Sequence, residues 1–203
     1  MNEDRIFIKN NELTIEGLLC KSSGNKGVVI CHPHPLMGGS MYNNVVEAIQ
    51  ETFAVEKYST LRFNFRGVGY STGNYDEGRG EQEDILACSR YLRDLGILII
   101  CLAGYSFGSW IGSKIIECEN HPFSNVTFIS PPINFFEFNF TKLYNKINAI
   151  ICGNRDQFVD INILKKQMNL LNYDLKIING ADHFYMGREK EIIDILHVKL
   201  KLT

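Results

Sequence analysis

Two patterns of apolar residues alternate along this chain. Short continuous runs rich in Val, Ile and Phe lack the polar alternation of a half-exposed strand, so they predict strands that are covered on both faces. Between the runs lie segments whose apolar residues are three or four positions apart, which is typical of amphipathic helices. The apolar runs are GVVIC (27–31), LRFNF (61–65), ILIICLAG (97–104), VTFIS (126–130), NAIIC (148–152) and LKII (175–178).

The helical segments alternate with the predicted strands. In the first of them, Val45, Ile49 and Phe53 share one face, and Gly96 is expected to end the second. Strands and helices in alternating order predict a parallel sheet with helices on both faces. The segments are NNVVEAIQETF (43–53), EQEDILACSRYLRDLG (81–96), INILKKQMNLLN (161–172) and REKEIIDILHVKLKL (188–202).

The first twenty residues depart from this pattern. RIFIKNNELTIEGLLC (5–20) holds two extended runs around the turn-like KNNE (9–12), which predicts a hairpin that adds an antiparallel edge to the sheet. The predicted fold class is therefore α/β, a mostly parallel twisted sheet with helices on both faces and an N-terminal antiparallel hairpin. A length of 203 residues suits a single domain over 1–203. In such sheets ligands bind beyond the carboxyl ends of the strands.

Composition and charge narrow the range of partners and compartments. The net charge is −2 with no basic block, which disfavours nucleic-acid binding. The longest apolar run is far too short to span a bilayer, so no membrane partner is expected, and MNEDRIFIKN lacks the features of a signal peptide. The six cysteines contain no C-x-x-C pair and lie mostly in apolar runs, as in a reducing compartment. We expect a cytoplasmic protein.

A candidate nucleophile follows the third central run. Gly104-Tyr105-Ser106-Phe107-Gly108 forms a G-x-S-x-G motif between a predicted strand and a predicted helix. This motif needs a tight strand-to-helix turn that exposes the serine hydroxyl, and glycines on either side remove side chains that would collide there. We assign Ser106 as the candidate nucleophile.

A base and an acid are expected in loops at the same edge of the sheet. Among the five histidines, His183 directly follows the last apolar run and is the candidate base. Asp156 follows the preceding run and is the preferred acid that would hold the imidazole, although Asp160 remains an alternative acid unless it caps the next helix. Asp182 is poorly placed to bond the ring of its neighbour. The order Ser106, Asp156, His183 is that of α/β-hydrolases.

Together with HPHPLMGGSM (32–41), RFNFRGVGYSTG (62–73), GNRD (153–156) and GADHF (180–184), the G-x-S-x-G motif makes the chain resemble a small, lid-free bacterial type of α/β-hydrolase. The resemblance implies one domain without a cap and an oxyanion hole formed by two backbone N–H groups. One would be that of Phe107. Because Pro33 and Pro35 have no N–H, the other would be that of His34, Leu36 or a neighbour, with His34 preferred because two stiff prolines flank it. Side chains expected to contact the substrate are Leu36, Met37, Tyr105 and Phe184.

The His32-x-His34 pair also raises the alternative of a metal-dependent hydrolase. A catalytic zinc site uses three protein ligands, and the sequence has neither H-E-x-x-H nor a second clustered pair. We therefore expect neither a metal nor an organic cofactor, and we expect the His32 side chain to orient its loop. The sequence departs from its relatives at Asn64, where many have aspartate, and at Asp160, where proline is frequent.

The resemblance implies a serine hydrolase that cleaves a carboxylic ester or thioester through an acyl-enzyme. A peptidase or amidase of the same fold and a non-catalytic binding protein are the alternatives. The expected partner is a small acyl substrate. A group of four phenylalanines lines the entrance, packs on the sheet or is buried in a homodimer: Phe135, Phe136, Phe138 and Phe140.

Overall fold

The computed structural model describes residues 2–143 and 145–201 and contains one eight-stranded sheet. The strand order is β1-β2-β4-β3-β5-β6-β7-β8. β2 pairs antiparallel with both β1 and β4, and all the other pairs are parallel. The strands are β1 (Asp4–Asn10), β2 (Leu13–Cys20), β3 (Lys26–Cys31), β4 (Ser59–Phe63), β5 (Ile99–Tyr105), β6 (Asn125–Ile129), β7 (Ala149–Gly153) and β8 (Leu175–Ile178).

Helices cover both faces of the sheet because successive strand residues point to opposite sides. On β3, Val28 and Ile30 belong to a buried cluster that includes residues of α1 and α5, whereas Val29 and Cys31 belong to the cluster on the other face, with residues of α2, α3 and α4. The α-helices are α1 (Asn44–Val55), α2 (Arg79–Asp94), α3 (Phe107–Ile116), α4 (Ile161–Leu170) and α5 (Glu189–Leu200), and a short 3₁₀ helix covers Pro35–Met37. The predicted fold class, with its N-terminal antiparallel hairpin, is confirmed.

The connection between β6 and β7 lies beside the carboxyl edge of the sheet. Its described residues form turns, without a helix or a strand. Asn134 ties it to the β7–α4 loop, since its N–H donates to the Phe158 carbonyl and its side-chain oxygen accepts from the Asp160 N–H at 2.9 Å. That the chain forms one domain without a cap stays a prediction.

The cysteine thiols of the described residues are all free, and each is buried except that of Cys118. In the same part of the chain, none of the helices combines the length and apolar character needed to cross a membrane.

Candidate active site

Ser106 occupies the turn between β5 and α3. Its backbone has φ 53° and ψ −119°, a conformation that is strained for a residue with a side chain and typical of an exposed nucleophile. Close backbone packing surrounds the turn. A Cβ on Gly104 would lie 2.6 Å from the Gly108 carbonyl oxygen, and a Cβ on Gly108 would lie 2.6 Å from that of Cys31. The two glycines of the motif are therefore required by contact distance.

The serine hydroxyl belongs to a continuous chain of hydrogen bonds. Ser106 Oγ lies 2.9 Å from His183 Nε2, and His183 Nδ1 lies 2.9 Å from both carboxylate oxygens of Asp156. All three residues are buried. Because a carboxylate only accepts, Nδ1 carries the proton and Nε2 is left as the acceptor for the serine hydroxyl. The structure thus brings together the three residues predicted as nucleophile, base and acid.

The two other aspartates considered for the acid position are engaged elsewhere. Asp160 caps α4, where its Oδ1 accepts from the backbone N–H groups of Asn162 and Ile163 at 3.0 Å. Asp182 Oδ1 accepts from the N–H groups of Phe184 and Tyr185. Neither carboxylate bonds the His183 ring, so of the three aspartates Asp156 is the one that contacts the imidazole.

His32 holds the loop after β3 from the inside. Its Nδ1 donates to the Pro33 carbonyl at 2.6 Å, and its Nε2 accepts from the Phe65 N–H at 3.0 Å. The ring is fully buried, and this burial lowers its pKa from 6.5 to about 4. Both ring nitrogens of a neutral imidazole are therefore engaged by backbone groups and neither is left for a metal ion.

In the same loop, one backbone N–H group differs from the others in its hydrogen bonding. Leu36 donates to His34 Nδ1, Met37 and Gly39 donate to the His34 carbonyl, and Gly38 donates to the Pro35 carbonyl. Pro33 and Pro35 have no N–H. In the described residues 33–39, the His34 N–H is thus the donor without an acceptor inside the loop. Phe107 begins α3, so its N–H also lacks an intrahelical acceptor.

A cavity of about 440 Å³ opens above the serine. Its lining contains no Asp, Glu, Lys or Arg side chain among the described residues and is dominated by aromatic rings. Met37, Tyr105 and Phe184 line it, as expected, whereas Leu36 is exposed and lies outside the lining. The lining residues are Pro33, His34, Met37, Gly38, Gly39, Asn43, Tyr105, Ser106, Phe107, Pro132, Phe135, Phe136, Phe158, His183 and Phe184.

The predicted phenylalanine group divides into two parts. Phe135 and Phe136 line the cavity, and Phe136 stacks on Trp110 at 4.3 Å between ring centroids. Phe140 is buried in the core and stacks with Phe138. Phe135 and Phe136 therefore lie at the cavity, as the entrance interpretation expects, and Phe138 and Phe140 serve packing.

Phe158 is a site residue that sequence reasoning missed. Its N–H donates to Asp156 Oδ1 at 2.9 Å, and its ring centroid lies 4.4 Å from that of His183. The ring covers one side of the imidazole and faces the cavity. The signal in the sequence was its position two residues after the candidate acid.

Three consecutive residues of the loop after β8 are anchored to three different elements. The loop that carries His183 is thereby fixed to β5, α1 and the end of β6. Sequence reasoning assigned Tyr105 to substrate contact, whereas its hydroxyl faces the histidine backbone. The bonds join the Tyr105 hydroxyl to the His183 carbonyl (2.7 Å), Asn44 Nδ2 to the Phe184 carbonyl (3.0 Å) and the Ser130 hydroxyl to the Tyr185 hydroxyl (2.7 Å).

Comparisons with known proteins agree with this fold. No family model matches the sequence. An uncharacterized protein of Rickettsia prowazekii is 32% identical in an alignment of 201 positions that covers 92% of this chain and 84% of that protein. A solved α/β serine hydrolase homologue from Coxiella burnetii is 31% identical, with 98% of each chain covered and a TM-score of 0.88. An α/β serine hydrolase without a lid from Xanthomonas campestris shares the fold at 21% identity and a TM-score of 0.85, with 99% of this chain and 94% of that chain covered. The fold, the loop order at the sheet edge and the 31% identity over nearly the whole length together place this chain in the α/β serine hydrolase family.

Proposed function

We propose that this chain hydrolyses a carboxylic ester or thioester through an acyl-enzyme on Ser106. The observation that carries the proposal is the unbroken hydrogen-bond chain from Ser106 through His183 to Asp156, at 2.9 Å for each step, at the base of an apolar cavity. A serine hydroxyl is a weak nucleophile until a base within hydrogen-bond distance takes its proton.

In the first step, Ser106 Oγ attacks the carbonyl carbon while its proton passes to His183 Nε2. The imidazolium formed is stabilised by Asp156, to which Nδ1–H already donates. Collapse of the tetrahedral intermediate transfers this proton to the leaving oxygen or sulfur, which departs as an alcohol or thiol. The acyl group remains on Ser106.

The negative charge of the tetrahedral intermediate requires donors that are in place beforehand. We assign this role to two backbone N–H groups. One is that of Phe107, the first residue of α3, and the other is that of His34 in the loop after β3. Neither group has an internal acceptor, and the N-terminal end of α3 adds a favourable field. Loss of one such donor typically costs about 2.7–4 kcal/mol of transition-state stabilisation.

In the second step, His183 takes a proton from water, whose oxygen attacks the acyl carbonyl carbon. The bond from that carbon to Ser106 Oγ then breaks, the proton passes from His183 to Oγ, and the carboxylic acid is released. The ring of Phe158 against the imidazole limits the access of other water to the His183–Asp156 pair. An uncharged, largely aromatic lining favours an ester over a peptide, because a peptide backbone needs hydrogen-bond partners along its length.

A fluorophosphonate probe and a panel of p-nitrophenyl esters test this proposal. We expect Ser106→Ala to abolish labelling and to reduce ester turnover at least about a thousandfold. Ser113→Ala is the matched control, since Ser113 is a buried serine of the same helix whose hydroxyl bonds the Trp110 carbonyl. Turnover that survives Ser106→Ala and is lost with a chelator would identify a metal hydrolase, and a folded protein without labelling or turnover would identify a binding protein.

A further inference from the structure

The mouth of the cavity carries large apolar side chains that no other part of the described chain covers. They belong to the 3₁₀ helix, to the β6–β7 connection and to the loop that follows β8. Their exposed fractions lie between 50% and 75%. We call this group the apolar rim: Leu36, Met37, Phe135, Phe184 and Met186.

The rim is continuous with the cavity. Met37, Phe135 and Phe184 line the cavity wall and are exposed at the same time. Leu36 directly precedes Met37 and Met186 lies two residues after Phe184, and neither lines the cavity. Scattered exposed apolar residues need no explanation, but apolar side chains that line a cavity and stay exposed at its mouth offer a surface to an apolar ligand.

The cavity itself excludes a charged ligand group. Its lining offers no ionised side chain that could pair with a phosphate, carboxylate or ammonium, and burial of an unpaired charge is strongly unfavourable. A volume of about 440 Å³ lies toward the lower end of the range for small-molecule sites. An apolar chain that fills this volume and continues must therefore leave through the mouth and lie on the rim.

We infer that the substrate is an uncharged ester with an unbranched acyl chain longer than the cavity, whose distal methylenes lie on the apolar rim. This inference rests on the proposed function of Ser106 and adds the class of acyl group to it. Each methylene that is fully removed from water onto an apolar surface favours binding by about fourfold. Short acyl esters reach the cavity alone and forgo this contribution.

The test compares kcat/KM for p-nitrophenyl acetate, butyrate, octanoate and dodecanoate, each below its critical micelle concentration. We expect kcat/KM of the wild type to rise with chain length. Leu36→Ser combined with Met186→Ser should lower the dodecanoate-to-acetate ratio at least about fivefold. The matched control is Leu170→Ser on α4, because Leu170 is 76% exposed and belongs to a different region, and it should leave the ratio unchanged.

Three outcomes would overturn the inference, and a fourth would refute the function on which it rests. An equal ratio in the rim variant and the wild type would remove the rim from substrate binding. An effect that appears only above the critical micelle concentration would identify an aggregate surface as the occupant. A wild-type dimer that the rim variant converts to a monomer in sedimentation velocity, with an unchanged ratio, would identify a second copy. The absence of ester turnover and of fluorophosphonate labelling of Ser106 would instead refute the proposed function itself.

Discussion

Tyr105→Phe distinguishes two roles for Tyr105, the residue before the candidate nucleophile: positioning the His183 loop and contacting the substrate. The hydroxyl of Tyr105 donates to the carbonyl of His183 at 2.7 Å, and both residues are buried. Burial, reinforced by the nearby Asp156 carboxylate, raises the pKa of this hydroxyl, so it stays a proton donor at every working pH. The substitution keeps the ring and removes the donor alone.

The expected magnitude follows from the acceptor that is left behind. A buried carbonyl without its donor costs about 1–3 kcal/mol. We expect the lost hydrogen bond to destabilise, by this amount, the position of the His183 loop that holds the imidazole against Ser106. The corresponding decrease in kcat is about 5-fold to 150-fold. The remaining anchors from Asn44 and Ser130 should keep the loop folded, so KM should change by less than about twofold.

Steady-state kinetics on p-nitrophenyl butyrate, together with urea unfolding, measure both effects. The matched control is Tyr185→Phe, which removes a bond of the same 2.7 Å length in the same loop without touching the His183 backbone. It should lose comparable stability with a smaller decrease in kcat. A rise in KM with unchanged kcat in Tyr105→Phe would assign the hydroxyl to substrate contact, and equal decreases in kcat for both variants would refute a positioning role.

Further predictions concern the acid, the nucleophile turn and the buried histidine. Asp156→Asn should lower kcat by about 10²–10⁴-fold, whereas Asp160→Asn, which keeps a capping oxygen for α4, should stay within about twofold; similar losses in both would contradict the assignment. Gly104→Ala places a Cβ 2.6 Å from a backbone oxygen and should destabilise the fold by about 1–3 kcal/mol, while Gly24→Ala, whose nearest atom is at 3.8 Å, should be close to neutral in the same denaturation assay. Because the pKa of His32 is about 4 in the folded state against 6.5 ordinarily, the unfolded chain binds more protons between these values. The contribution of neutral His32 to the free energy of unfolding is therefore present above pH 6.5 and decreases as the pH falls toward 4. The decrease is about 2 kcal/mol from pH 7 to pH 5. His32→Gln should flatten this slope in urea unfolding, and an unchanged slope would show that other groups cause it.

The alternation of strands and helices along the chain and the candidate site were predictable because both depend on local signals. Each central strand is a continuous apolar run, and parallel strands bring the loops that follow them to one edge of the sheet. Ser106, Asp156 and His183 follow β5, β7 and β8, so their convergence required no knowledge of side-chain packing.

The apolar pattern failed to predict the end of a strand where contacts with residues distant in sequence decide it. The predicted strand at 61–65 ends at Phe63. The Asn64 N–H still bonds the Glu16 carbonyl of the neighbouring β2, but the Phe65 N–H bonds the His32 ring instead of a strand. The Asn64 side chain likewise donates to buried Glu16 at 2.8 Å. An amide, unlike a carboxylate, can donate to this Glu16 carboxylate of β2. A pairing over this sequence separation is not readable from one sequence.

Backbone strain and side-chain anchors together fix the site before substrate arrives. Ser106, Ser130 and Tyr185 all have positive φ, of 53°, 47° and 54°, and such conformations persist only where the surroundings hold them. Here the Ser106 N–H bonds the Ile129 carbonyl at 2.9 Å, and the hydroxyls of Ser130 and Tyr185 bond each other. A nucleophile and a base held this way need no loop closure to meet. Under the proposed function, selection among acyl chains is assigned to the cavity wall and to the apolar side chains around its mouth, and the chain-length profile of kcat/KM tests that assignment.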